Sequence, residues 1–385
     1  MKNSLNSLIN KAIIEYKNNN LYREIYNIDE NKSDIINFCD NDYLGLRNNS
    51  KIQKLIKENS HKYPIGSGAS HLISGHHNIH TKLENLLSEY LGFEKTLLCS
   101  TGYMANLAII TALNKVTNKK LFLYHDKLNH ASLIDATLLN NVKFSRFKHN
   151  DLEHLEYLIK KNQKNLGQDY ISFIVTEGIF SMDGDRVDLE KLLYLKEKYN
   201  LYIILDNAHD FLVNNSNLDL IKNTVDIYMA TLGKAAGGFG AFISSNNSFI
   251  ESLIQFAKSY IYTTAMSPLM TYANYELVKE AITNNFFKNK LNENIKFFIE
   301  KALENNMNII NKDLTQLSHI QPIIINDSQK ALNIANNLKQ NGILLTAIRY
   351  PTVPKNLARL RITLSARHEF NEISNLIKML LLINN

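Results

Sequence analysis

The sequence predicts an α/β protein, with a mostly parallel central sheet covered by helices on both faces and a smaller C-terminal α+β domain. Two observations carry this. Short apolar runs rich in Ile, Val, Phe and Tyr alternate with helical patterns through the middle of the chain, and polar residues cluster where those runs end. Past about residue 275 the alternation gives way to long Asn- and Lys-rich helical stretches.

Strands are expected at 95–100 (KTLLCS), 121–126 (LFLYHD), 172–178 (SFIVTEG), 201–209 (LYIILDNAH), 226–233 (DIYMATLG) and 240–245 (GAFISS). Between them Leu83, Leu86, Leu87, Tyr90 and Leu91 repeat at helical spacing. Leu189, Leu192 and Leu193 do the same after a capping residue at Asp188. Such alternation builds a sheet buried on both faces. Further on, GILLTAI (342–348) and LRITLS (360–365) read as strands of a second sheet. Phe370, Ile373, Leu376, Ile377, Leu380 and Leu381 mark a closing amphipathic helix. The expected division is an N-terminal segment over 1–45, a large domain over 46–275 and a small domain over 276–385.

The 385 residues are 45% hydrophobic and 21% charged, an ordinary balance for a globular chain. A net charge of +6 is spread along the chain without a basic block, so nucleic-acid binding has no support. Cys39 and Cys99 stand far apart without metal-ligand spacing, which predicts no metal site and a reducing compartment. No apolar run approaches the length of a membrane span, and the N-terminus reads as an amphipathic helix rather than a signal peptide. The expected location is the cytoplasm, away from membranes.

In open α/β sheets, ligands gather outside the carboxyl ends of the strands. Here Glu177 (with Ser181 four residues on), Asp206 with His209, and Thr231 with Lys234 follow three apolar runs. Ser100, Gly102 and Tyr103 open a helical pattern after a fourth. A lysine amine can condense with an aldehyde. An aspartate on a neighbouring strand can hold a pyridinium N–H. A helix N-terminus can hold a phosphate. Pyridoxal phosphate (PLP) has all three handles, and glycines flanking Lys234 allow close approach. Taken singly, each residue has a plainer role as a solvated lysine, a helix cap or a turn. Their order on successive strands is what favours the cofactor.

The stretches NFCDNDYLGL, IGSGASHLISG, CSTGYMAN, HDKLNHASLIDA, RFKHND, VTEGIFSMDGD, LDNAH, ATLGK and TAIRYPTVPKNLARLRITLSARHE resemble, in order, the landmarks of the α-oxoamine synthases. The match runs from about residue 20 to about 380, and its TAIR piece is most similar to the members that act in biotin synthesis. The resemblance implies a fold-type-I PLP-dependent transferase working as a homodimer. It implies that Lys234 bonds the cofactor, that Asp206 pairs with the pyridine nitrogen, and that His209 and Ser181 meet the ring hydroxyl. His130 would stack on the ring, and Gly102, Tyr103 and Thr231 would hold the phosphate. Asn41 and Arg361 would grip the amino-acid carboxylate, with Arg359 as support, and Thr352 and Arg23 would lie near the acyl substrate. The implied reaction is decarboxylative condensation of L-alanine with a pimeloyl thioester of acyl carrier protein or CoA. Members that use glycine, giving 2-amino-3-ketobutyrate or 5-aminolevulinate, are the alternative, and a non-catalytic partner subunit is a second. The chain departs from the family at three places: the loop after His209 has no glycine, Asn207 replaces an acid, and His71 stands where many relatives carry arginine.

Overall fold

The computed structural model describes residues 4–19, 21–27, 35–117, 120–166, 170–214 and 217–384. In chain order its strands are β1 (Ile36–Asn37), β2 (Lys95–Cys99), β3 (Lys120–Asp126), β4 (Lys143–Phe147), β5 (Tyr170–Glu177), β6 (Tyr202–Asp206), β7 (Ile227–Thr231), β8 (Ala241–Ser245), β9 (Ile320–Asn326), β10 (Ile343–Leu344), β11 (Thr346–Ile348) and β12 (Ala358–Thr363). The chain divides into two compact units. The larger holds Asn41–Ser181 and Asp185–Lys290; the smaller holds the described residues of Met1–Asp40 with Met182–Gly184 and Leu291–Asn385.

The larger unit is built on a seven-stranded sheet in the order β2-β8-β7-β6-β5-β3-β4. β7, β6, β5, β3 and β4 pair parallel, and β8 runs antiparallel to both β2 and β7. Alternate strand residues face opposite sides. On one side Leu97, Leu123, Val175, Ile204, Met229 and Ile243 join a core with the helices Gly102–Val116, Ala131–Leu139 and Asn247–Phe256. The other side is buried as well: Leu98, Tyr124, Ile174, Leu205, Tyr228 and Phe242 are all within 1% of full burial. Phe211 packs edge-on against Phe242 at 4.9 Å and reaches Tyr90 of the helix Asn78–Leu91 at 6.4 Å. The expected helices are present, and Asp188 caps Leu189–Tyr199 by accepting the Lys191 N–H. No helix among the described residues is long and apolar enough to cross a membrane.

All six runs read as central strands form strands. The sequence reading missed β4, an edge strand in which Lys143, Ser145 and Arg146 are interspersed with two Phe residues, which has no apolar run to betray it.

In the smaller unit β11, β12 and β9 form an antiparallel sheet with β12 in the middle. GILLTAI is one run in sequence but two strands in space. Ile343–Leu344 pairs with β1, and Thr346–Ile348 pairs with β12. The unanticipated β9 carries Pro322, which an edge strand tolerates. The closing helix Phe370–Asn384 buries Ile373, Leu376, Ile377 and Leu380.

The turn that carries Lys234 owes its shape to small residues. Ala235 and Ala236 are buried, and Gly237 has φ +71°. A Cβ at Gly237 would stand 2.5 Å from the Arg47 nitrogen and 2.8 Å from the Leu46 carbonyl carbon. Asn274 clamps the following peptide, accepting from Phe239 N at 3.1 Å and donating to Phe239 O at 2.8 Å. Gly237→Ala therefore adds both a left-handed side chain and a clash with backbone. It should cost roughly 2–3 kcal/mol of unfolding free energy in urea melts. A cost under about 0.5 kcal/mol, the range of a neutral surface change, would mean that the turn is not fixed in this way.

Candidate active site

Parallel strands bring Glu177 at the end of β5 opposite Asp206 at the end of β6, and Asp206 opposite Met229 of β7. Asp206 is 5% exposed. One of its carboxylate oxygens accepts from Asn106 Nδ2 at 2.9 Å, and the other accepts from the Ala208 N–H at 3.1 Å. Asn106 also donates to Ser132 Oγ at 2.8 Å, and Ser132 Oγ lies 2.7 Å from His130 Nδ1. His130 caps the helix Ala131–Leu139, its backbone N–H donates to Glu177 Oε1 at 2.6 Å, and its side is exposed. Burial pushes the Glu177 carboxyl well above the usual range; Asp206 beside it adds to the shift, and Lys234 opposes it.

Lys234 is half-buried, with Nζ 2.8 Å from His209 Nε2. His209 Nδ1 lies 2.5 Å from the Tyr43 hydroxyl, which lies 3.0 Å from Asn41 Oδ1. Thr231 Oγ1 donates to Gly240 O at 2.8 Å and accepts from Gly233 N at 3.2 Å. Gly102 and Tyr103 begin the helix Gly102–Val116, whose cap Thr101 accepts from Met104 N. Their N–H groups belong to the first turn, where the helix offers no carbonyl partner. An added Cβ at Gly102 would meet only Met229, at 3.9–4.0 Å, so there is room beside the first residue of this helix. Ser181 is half-buried in the turn after β5.

The loop that delivers His130 is tied down by charge. Asp126, fully buried, accepts from Leu128 N and Asn150 N, both at 2.7 Å. His149 bridges Asp126 at 3.0 Å and Asp185 at 3.1 Å. Burial disfavours charge on this ring, but hydrogen bonds to Asp126 and Asp185 outweigh it and raise its pKa to about 10.

The glycine-free loop after His209 keeps its turn by other means. Leu212 takes φ +66° with its side chain buried, and Asp210 pairs with Arg186 at 2.7 Å. Asn207 donates to the Tyr228 hydroxyl at 3.0 Å. His71 stacks on Tyr260 at 5.2 Å, and burial lowers its pKa to about 3, so it is no substitute for an arginine's charge.

In the smaller unit Arg361 is 6% exposed and donates to Thr363 Oγ1 at 2.7 Å. Arg359 is buried and pairs with Asp183, and it also reaches Met182 O at 3.3 Å. Arg23 and Thr352 line one groove of about 310 Å³, together with Glu24, Arg349 and Tyr350.

The large unit thus joins Asn41, His209 and Lys234 in one chain and Asp206 with His130 in another. The sequence reading missed Asn106, Ser132 and Tyr43, and gave Glu177 no role. Asn106 closes CSTGYMAN and Tyr43 lies within NDYLGL, but neither is a residue type that announces chemistry. The residues fit pyridoxal phosphate: an amine, a buried carboxylate, an exposed imidazole and a helix start lie at the carboxyl ends of β2, β3, β6 and β7 and just after them.

The chain belongs to the aminotransferase class I and II family, whose model matches residues 33–380. Within it, the chain is 39% identical over 354 residues to the 8-amino-7-oxononanoate synthase of Saccharophagus degradans, covering 90% of this chain and 86% of that protein. The crystal structure of 8-amino-7-oxononanoate synthase from Francisella tularensis matches with a TM-score of 0.75 at 30% identity, over 90% of this chain and 97% of that one. A serine palmitoyltransferase from S. paucimobilis, solved with a bound PLP–myriocin adduct, shares the fold with a TM-score of 0.88 at 21% identity, over 100% and 98% of the two chains.

The His149 clamp makes a pH prediction. An unfolded histidine titrates near 6.5. Its contribution is therefore full below pH 6.5 and is lost as pH rises through the folded value of about 10. The difference in unfolding free energy between the natural chain and His149→Gln should shrink steadily from pH 6.5 to 10. A difference that is flat across that window would show the ring to be uncharged in the folded state.

Proposed function

We infer that this enzyme condenses L-alanine with a pimeloyl thioester, on acyl carrier protein or CoA, releasing 8-amino-7-oxononanoate, CO2 and the free thiol. The observation that carries this is the amine of Lys234, held by His209 in the same unit as the buried Asp206, in a chain whose relatives bear that name. Bound pyridoxal phosphate supplies an aldehyde for the amine and a ring that takes up electrons from the carbon being activated. Lys234 holds the cofactor and then moves the α-proton, which requires the neutral amine. Asp206 keeps a proton on the ring nitrogen, and Asn106 fixes the orientation of its carboxylate. His130 covers the ring face, while Ser181 and His209 serve the ring hydroxyl. The first-turn N–H groups of Gly102 and Tyr103, with the Thr231 hydroxyl, hold the phosphate.

Arg361 and Asn41 are proposed to bind the alanine carboxylate, because a guanidinium fork matches both oxygens. Arg359 keeps a supporting role, its charge already met by Asp183. Arg23 and Thr352, on one groove, suit the acyl chain. A homodimer in the cytoplasm completes the reading. Ile65, Ile73 and Tyr262 are each at least 80% exposed, on segments joined by the Ser70–Thr264 bridge, and an apolar surface of this kind suits a second copy.

Purified protein given PLP, pimeloyl-CoA and either L-alanine or glycine tests the reaction by product mass. Alanine should give 8-amino-7-oxononanoate; faster turnover of glycine would overturn the substrate assignment. After borohydride reduction the pyridoxyl label should sit on Lys234, and a label on any other lysine would end the site assignment.

Arg361→Ala should raise the alanine concentration that half-saturates the cofactor's spectral change by roughly 100-fold or more, and Arg361→Lys should restore little of it. Loss of alanine binding in Arg359→Ala but not in Arg361→Ala would transfer the role to Arg359.

A further inference from the structure

The polar contacts that end at Lys234 form one chain, and counting protons sets its direction. Lys234 Nζ lies 2.8 Å from His209 Nε2, His209 Nδ1 lies 2.5 Å from Tyr43 OH, and Tyr43 OH lies 3.0 Å from Asn41 Oδ1. The side-chain carbonyl of Asn41 can only accept, so the single hydroxyl proton of Tyr43 goes to it. The tyrosine oxygen is left to accept from His209, and a neutral imidazole then carries its one proton on Nδ1. His209 Nε2 thus presents a lone pair to Lys234 Nζ, which can donate to it as an amine or as an ammonium. Tyr43 is fully buried and His209 is 6% exposed, so bulk water is a poor substitute for the hydroxyl.

We propose that Tyr43 is a positioning residue for the reaction, acting through His209: by accepting Nδ1–H it sets the histidine tautomer that gives Lys234 a fixed hydrogen-bond acceptor. The role rests on Lys234 being the attachment and proton-transfer group. Tyr43 is also well placed to hold its own position. Asp42 accepts from Leu46 N at 2.9 Å and Arg47 N at 3.4 Å, and Tyr43 N donates to Asn41 O at 2.9 Å, so the segment that carries the hydroxyl is braced at both ends. The chain needs a hydroxyl at this position, and phenylalanine would keep the ring while removing the acceptor.

The test reads the tautomer directly. Nitrogen NMR of the cofactor-free full chain, with labelled histidine and His209 assigned by His209→Gln, should show the proton on Nδ1. In Tyr43→Phe it should move to Nε2 or spread over both nitrogens. In the PLP-loaded protein the same variant should lower kcat about tenfold while leaving the KM for alanine near its original value. A natural chain already protonated on Nε2, or a Tyr43→Phe chain still protonated on Nδ1, would overturn the proposal. If Tyr43→Phe does not fold, the tautomer of the natural chain decides alone. Because the tautomer is read without turnover, absence of the condensation reaction would count against the proposed function and leave this result standing.

Discussion

Two carboxyl groups buried side by side at the carboxyl end of a parallel sheet constrain most of what surrounds them. Glu177 and Asp206 are register partners, each at most 5% exposed. Neighbouring buried carboxyls resist joint ionisation. The structure separates their roles. Glu177 is pushed toward the neutral acid and takes a backbone N–H from His130, whereas Asp206 receives an amide N–H from Asn106 and another from Ala208. Asn106 lies one helical turn beyond Gly102, so the helix that steadies the carboxylate also presents its open N-terminus to the same region. Electrostatic support and the candidate phosphate site are therefore one element and cannot be placed independently.

The same economy governs the lysine. The backbone of Leu46 and Arg47 leaves no room for a side chain at Gly237, and the segment that makes this close approach also carries Asn41 and Tyr43. NDYLGL thus acquires a reason for each chemical type: a carbonyl for the tyrosine proton, a carboxylate that caps the turn, a hydroxyl for His209, and Gly45 at φ +67°. Shaping the turn around Lys234 and orienting its histidine partner are done by one loop.

Six of the seven strands of the large sheet were legible in the sequence because burial on both faces leaves long apolar runs that end abruptly in polar residues. Lys234, Asp206 and His209 were legible for the same reason, as polar residues where an apolar strand stops. The polar edge strand Lys143–Phe147 and the proline-bearing strand Ile320–Asn326 were not, since an edge demands neither an apolar run nor an unbroken ladder. The split of 342–348 between two sheets follows from tertiary pairing, which no local pattern encodes. Asn106 and Tyr43 stayed hidden because their work is to orient other groups, and an amide or a phenol in an apolar setting looks like packing.

Missing glycines after His209 illustrate the limit of reading shape from residue type. A left-handed turn usually selects glycine, yet Leu212 occupies that conformation at φ +66°. A non-glycine residue there costs on the order of 1–2 kcal/mol. Full burial of a leucine side chain contributes about 1.5–3 kcal/mol, enough to offset it. Leu212 is 1% exposed, and its neighbours hold the loop at both sides: Phe211 packs on Phe242, and Asp210 meets the Arg186 guanidinium. The conformation that a glycine would permit is here imposed by packing. His209 keeps its contacts with Lys234 and Tyr43 because they depend on where the loop begins, and Asn207 N fixes that point by donating to Met229 O at 2.7 Å.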